Sequence, residues 1–142
     1  MTKSSKKLQP VANLARLNER SAARLHGSVL NELKKQEERL DELISYRDQY
    51  QTSFNVAGKL GISSIQLQDY RLFLLRLDDA IQQQQQAIIN GKKNSEMSRG
   101  EWLNKRNKSK MMNKVVEKRQ VAEAAQLEKS EQRELEDRPL TN

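Results

Sequence analysis

From Leu67 onward, positions spaced alternately three and four residues apart run without a break to Val116. They are Leu67, Tyr70, Leu74, Leu77, Ile81, Gln84, Ile88, Gly91, Ser95, Ser98, Trp102, Lys105, Ser109, Met112 and Val116. A repeat averaging ~3.5 residues keeps one face of an α-helix against a partner helix, the pattern of a coiled coil. The frame is strongly apolar to Ile88, polar from Gly91 to Ser98, and mixed beyond. Asn90-Gly91 reads as a helix stop and Ser98-x-x-Glu101 as a capping box, so a three-helix bundle broken at 91–98 is an alternative. The return of Trp102, Met112 and Val116 in the same phase favours one continuous helix, because a loop has no reason to keep that register.

A partner helix precedes this one. From about Pro10 to Ala57 there is no turn cluster, and Gly27 is the only interior glycine. Leu25, Val29, Leu33, Leu40, Leu43, Tyr50, Phe54 and Ala57 make a stripe with steps of three and four, Gln36 and Arg47 filling its polar slots. The stripe contains one extra step of four near its start, a stutter. Pro10 suits a first helical turn, and ~48 residues would span ~72 Å at ~1.5 Å per residue. The glycines of Gly58-Lys59-Leu60-Gly61-Ile62 break the pattern, and Ser63 with Gln66 has the spacing of a capping box that starts the second helix.

Two helices joined by so short a turn run antiparallel. The expected fold is all-α: a single two-helix antiparallel coiled-coil hairpin, with helix 1 at about 10–57, the turn at 58–63 and helix 2 at about 64–138. The second helix then overhangs the first from near Met112, projecting an unpartnered stripe that includes Val116, Val121, Ala122, Ala125 and Leu127.

Composition agrees with a thin helical fold. Of 142 residues 35% are hydrophobic and only 4% aromatic, too few large groups to fill a globular core, and five Gly with two Pro cannot supply the turns of a β-rich domain. With no cysteine there is no disulfide, thiolate nucleophile or Cys-ligated zinc, and a single histidine, His26, offers no metal pair or catalytic triad. His26 beside Gly27 reads as a surface helix residue. Asp41, Glu42, Asp78 and Asp79 read as solvated helix faces rather than a metal or acid–base site. No nucleotide-binding or metalloprotease spacing occurs. No enzyme activity, cofactor or metal is expected. No apolar run approaches the ~18 residues needed to span a bilayer, and the N-terminal segment lacks the apolar stretch of a secretory signal, so a cytoplasmic protein is expected.

The net charge of +7 is unevenly placed. Residues 1–26 carry a net +5, 27–91 a net −2, 92–119 a net +7 and 120–142 a net −3. An antiparallel hairpin brings the two basic segments together at its open end, where Arg16, Arg20, Arg24, Lys105, Arg106, Lys108, Lys110 and Lys114 would attract an acidic partner. Near the turn, all three tyrosines and both phenylalanines cluster. Leu74, Leu77 and Ile81 lie on the seam. Phe73 and Ala80 lie one position off it, where a partly exposed aromatic favours an interface.

The stretch L-x-x-L-I-x-Y-x-x-x-Y, a Gly-containing turn with an Ile and a Ser, then Y-x-x-F-x-x-x-L-x-x-A-I-x-x-Q resembles the FliJ family of flagellar type III export proteins. Here these are Leu40, Leu43, Ile44, Tyr46, Tyr50, Ile62, Ser63, Tyr70, Phe73, Leu77, Ala80, Ile81 and Gln84. The single Trp followed by basic residues and the Glu-rich C-terminal helix match too. The resemblance implies a non-catalytic coiled coil similar to a rotary ATPase stalk, whose termini associate with the hexameric flagellar export ATPase. It also implies a turn-proximal patch on the cytoplasmic domain of the membrane export gate, falling here on Leu43, Tyr46, Tyr50, Phe73, Leu77 and Ala80. Arg39 and Gln84 stand where family members can show Gln and His. Export chaperones are further implied partners, and the implied location is cytoplasmic, peripheral to the inner membrane at the flagellar base. A stalk homologue of the injectisome is one alternative. Another is a basic helical hairpin that binds nucleic acid; the near absence of aromatics among the basic residues and the acidic tail argue against it.

Overall fold

A computed structural model describes residues 4–139. They form two helices, α1 (Ser5–Leu60) and α2 (Ser64–Glu136), and no strand occurs among the described residues. The helices pack antiparallel. Pairings run in opposite chain directions, from Ser5 with Glu123, through His26 with Ser98 and Arg47 with Asp78, to Phe54 against Tyr70 near the turn. The fold is therefore an all-α helical hairpin with α2 extending past its partner.

Local chemistry sets the helix ends. The Ser4 carbonyl accepts from the N–H groups of Lys7 and Leu8, each at 3.1 Å, so α1 begins five residues before Pro10. The proline thus sits in the second turn and removes the bond to the Lys6 carbonyl. At the start of α2 the Ser63 N–H donates to Gln66 Oε1 (3.1 Å) and the Gln66 N–H to Ser63 Oγ (3.2 Å), the reciprocal capping box that the S-x-x-Q spacing predicts. The turn itself is only Gly61, Ile62 and Ser63, since α1 continues through Gly58. Gly61 has φ +91°, the one left-handed residue among those described, and a side chain there would be strained.

Helix α2 is unbroken across 91–98, and all fifteen positions of its heptad frame are buried or half-buried. On α1 the inward positions are Leu8, Ala12, Ala15, Glu19, Ala22, His26, Val29, Leu33, Gln36, Leu40, Leu43, Arg47, Tyr50, Phe54 and Ala57. That is a strict alternation of three and four with no stutter. Leu25, expected on the seam, is 56% exposed, and His26, expected on the surface, takes the inward position. The polar ring is tolerated there because His26 Nδ1 lies 2.7 Å from Ser98 Oγ. Ser98 Oγ also lies within hydrogen-bond distance of the Ser95 carbonyl, at 3.0 Å.

Packing divides the chain into two compact units, one made of Met1–Arg24 with Gly100–Asn142 and the other of Leu25–Arg99. In the first, the buried residues are Ala12, Ala15, Ser109 and Val116, all with compact side chains. Its pairing extends to Glu123, whose carboxylate accepts from the Ser5 N–H (2.8 Å) and the Ser5 hydroxyl (2.5 Å). The overhang consequently starts after Glu123 rather than near Met112, and Val116 is 5% exposed instead of unpartnered. The earlier start of α1 supplies the missing partner. In the second unit, Leu77 and Ile88 are the buried apolar residues.

Candidate functional site

The residues near the turn form a continuous aromatic ladder across the seam. Tyr46 meets Phe73 edge-on at 6.1 Å between centroids, and Phe73 packs on Tyr50 at 4.3 Å. Tyr50 reaches Tyr70 at 5.2 Å, which in turn contacts Phe54 at 5.3 Å. The rings alternate between helices: the seam residues Tyr50, Phe54 and Tyr70 interleave, and the flanking Tyr46 and Phe73 extend the row at the edge of the seam, where offset or edge contacts add stability beyond area burial. Burial raises the Tyr50 phenol above its ordinary pKa, with Tyr70, Tyr46 and Asp69 adding to the shift. Desolvation holds this hydroxyl neutral over a wider pH range.

Accessibility separates the six patch residues. Tyr46 is 49% exposed; Leu43, Tyr50, Phe73 and Ala80 are half-buried, and Leu77 is only 7% exposed. Leu77 is core, where a large part of its side chain has no access to a partner. Leu74, expected to be deeper than Phe73, is half-buried like it.

Beside the ladder, Arg47 donates Nε–H to Asp78 Oδ1 at 2.5 Å across the helices. This bond, then the Asp78 charge, raises the Arg47 pKa further. Sequence reading gave Arg47 only the role of a polar slot filler. Its placement on the seam, opposite an acid one step off the other seam, was the available signal.

All eight basic residues of the expected open-end site belong to the first unit. Arg16, Arg20, Arg24, Lys108, Lys110 and Lys114 are exposed, whereas Lys105 and Arg106 are half-buried. Arg16 donates to Asn13, and with Leu17 and Arg20 these line a shallow groove of about 300 Å³. The Arg106 guanidinium lies 5.7 Å from the Trp102 ring centroid, a cation–π contact that anchors its stem. Among the described residues, Arg47–Asp78 is the one Lys/Arg ion pair, so the basic residues are not neutralised internally. Nor do those residues include three or more His, Cys, Asp or Glu placed to hold a metal ion. No described helix is long and apolar enough to cross a membrane.

No curated protein and no solved structure matches the chain. The family described as "Flagellar FliJ protein" matches residues 4–137, nearly the whole length and both helices. The chain belongs to the FliJ family and is a component of flagellar type III protein export.

Proposed function

We propose that this protein is the non-catalytic stalk and coupling component of the export apparatus, linking the export ATPase hexamer to the membrane export gate. The observation that carries this reading is a division of labour between the two packing units. One holds the eight unneutralised basic residues, and the other holds the aromatic ladder with its accessible Tyr46. Cationic side chains without carboxylate partners among the described residues suit an acidic protein surface and steer association with it. Half-buried aromatics held by their neighbours suit a packed contact, since they are already ordered before binding. The ATPase contact falls on Arg16, Arg20, Arg24, Lys105, Arg106, Lys108, Lys110 and Lys114. The contact with the gate's cytoplasmic domain falls on Leu43, Tyr46, Tyr50, Phe73 and Ala80, with Leu77 supporting them from beneath. In this reading the protein works in the cytoplasm, peripheral to the inner membrane at the flagellar base, and also meets export chaperones.

The test is a pull-down with purified export ATPase and gate cytoplasmic domain, with and without nuclease. Retention of both proteins independent of nuclease is expected. Retention of RNA in place of either protein would overturn the reading in favour of nucleic-acid binding.

A further inference from the structure

A second surface in the turn-proximal unit is built for a different contact. Arg47, Arg71, Leu74, Leu75 and Asp78 line a groove of about 320 Å³. Four of them, Arg71, Leu74, Leu75 and Asp78, recur at three- and four-residue steps on α2; Arg71, Leu74 and Asp78 each follow a residue of the Tyr70, Phe73, Leu77 stripe by one position, and Arg47 faces them from α1. Leu75 is 62% exposed and Leu74 half-buried, giving the groove an aliphatic floor. Two further exposed apolar residues lie one helical turn from lining residues: Leu72, 49% exposed and three positions before Leu75 on α2, and Ile44, 40% exposed and three positions before Arg47 on α1.

The charges of the groove do not cancel. Its one carboxylate, Asp78, is engaged by Arg47 through Nε–H, which leaves the terminal amino groups of that guanidinium unused by the bond. Arg71 is exposed and has no carboxylate partner among the described residues. Asp78 therefore fixes Arg47 at the edge of the groove without exhausting its donors, and Arg71 adds a second guanidinium. Arginine forks match carboxylates in geometry as well as charge.

We propose that this groove docks an acidic, aliphatic segment of a protein partner, one carboxylate meeting Arg71 and Arg47 while an adjacent Leu- or Ile-like side chain covers Leu74 and Leu75. Charge complementarity selects the acid, and the apolar floor selects against a nucleic acid, whose backbone rewards phosphate contacts and leaves exposed leucines uncovered. The surface is separate from the aromatic ladder, so a partner here and one on the ladder use different residues.

The test titrates the isotopically labelled full chain with a synthetic peptide of alternating Glu and Leu. Controls carry Ser for Leu, or Lys for Glu, and a single-stranded DNA oligonucleotide is a fourth probe. The Glu/Leu peptide is expected to shift the resonances of Ile44, Leu74 and Leu75, and to bind at least tenfold more tightly than the controls and the oligonucleotide. Arg71→Glu and Leu75→Ser should each weaken it at least tenfold at unchanged helicity, whereas Phe73→Ala should leave its affinity unaltered. Shifts confined to Arg16, Arg20, Lys108 and Lys110, equal binding of the Ser control, full affinity in both groove variants, or preference for the oligonucleotide would each overturn the proposal.

Discussion

Gly91 on α2 lies directly under Gln36 of α1: a Cβ added at Gly91 would sit 2.6 Å from Gln36 Oε1 and 3.0 Å from Leu33 Cδ1. Gln36 Oε1 is itself buried without a hydrogen bond, although its backbone carbonyl accepts from Gln84 Nε2 at 2.9 Å. The glycine that reads as a helix stop is thus a packing requirement of the seam.

Gly91→Ala sets two effects against each other. Alanine favours the helix by about 1 kcal/mol, whereas overpacking costs roughly 1–3 kcal/mol. Because the nearest atom ends a flexible side chain, the coupling is the decisive quantity. Gly91→Ala should be less favourable in wild type than in Gln36→Ala by roughly 0.5–3 kcal/mol, measured by a double-mutant denaturation cycle. At Gly27 and Gly100, where nothing lies within 4 Å, alanine should stabilise by about 0.5–1 kcal/mol. Additive effects at Gly91 and Gln36 would contradict the contact.

Leu77 and Phe73 should respond differently. Leu77→Ala should cost roughly 2–5 kcal/mol, the cost of a cavity in a site that cannot collapse fully. Phe73→Ala should cost less but more than an exposed residue would, because it loses contacts with Tyr46 and Tyr50 worth about 0.5–1.5 kcal/mol each. Tyr46→Ala should weaken gate binding with the smallest loss of stability. Thermal melts beside a gate-binding assay rank the three.

The Glu123 carboxyl is held below the usual glutamate value, first by the Ser5 hydroxyl, then by the Ser5 N–H, with Arg119 contributing. A carboxylate with a lowered folded pKa contributes stability that is present above its unfolded value and lost as pH falls through the folded value. The start of α1 should therefore loosen at pH below the ordinary glutamate range of about 4. Amide exchange at 5–8 should accelerate there, and Ser5→Ala should return the Glu123 titration towards normal. A Glu123 titration unmoved by Ser5→Ala would refute the tie. Residues 124–136, all exposed and beyond that tie, should exchange rapidly at every pH.

Arg20, Lys108 and Lys110 are exposed and make no ion pair among the described residues, so reversing them to Glu should leave helicity near wild type. The same triple variant should weaken ATPase association and flatten its dependence on salt. Binding that is unchanged across salt concentrations would remove the electrostatic part of the proposed function.

Helical class, antiparallel order and the α2 seam were all legible along the chain, because a period of three and four needs no knowledge of the partner to be counted. Continuity through Gly91 and Ser98 was legible for the same reason: phase survives an interruption in polarity. The choice between Leu25 and His26 was not. Hydropathy favours the leucine inward, and Ser98 across the seam supplies a hydrogen bond that lets the histidine replace it. Likewise, Ser5 extends the hairpin only because Glu123 meets it, and Arg47 gains its role from Asp78. Periodicity along one strand of chain therefore determined which helices form and which faces meet. Tertiary structure decided which polar residues those faces could absorb, since the cost of burying a polar group depends on an atom that another helix provides.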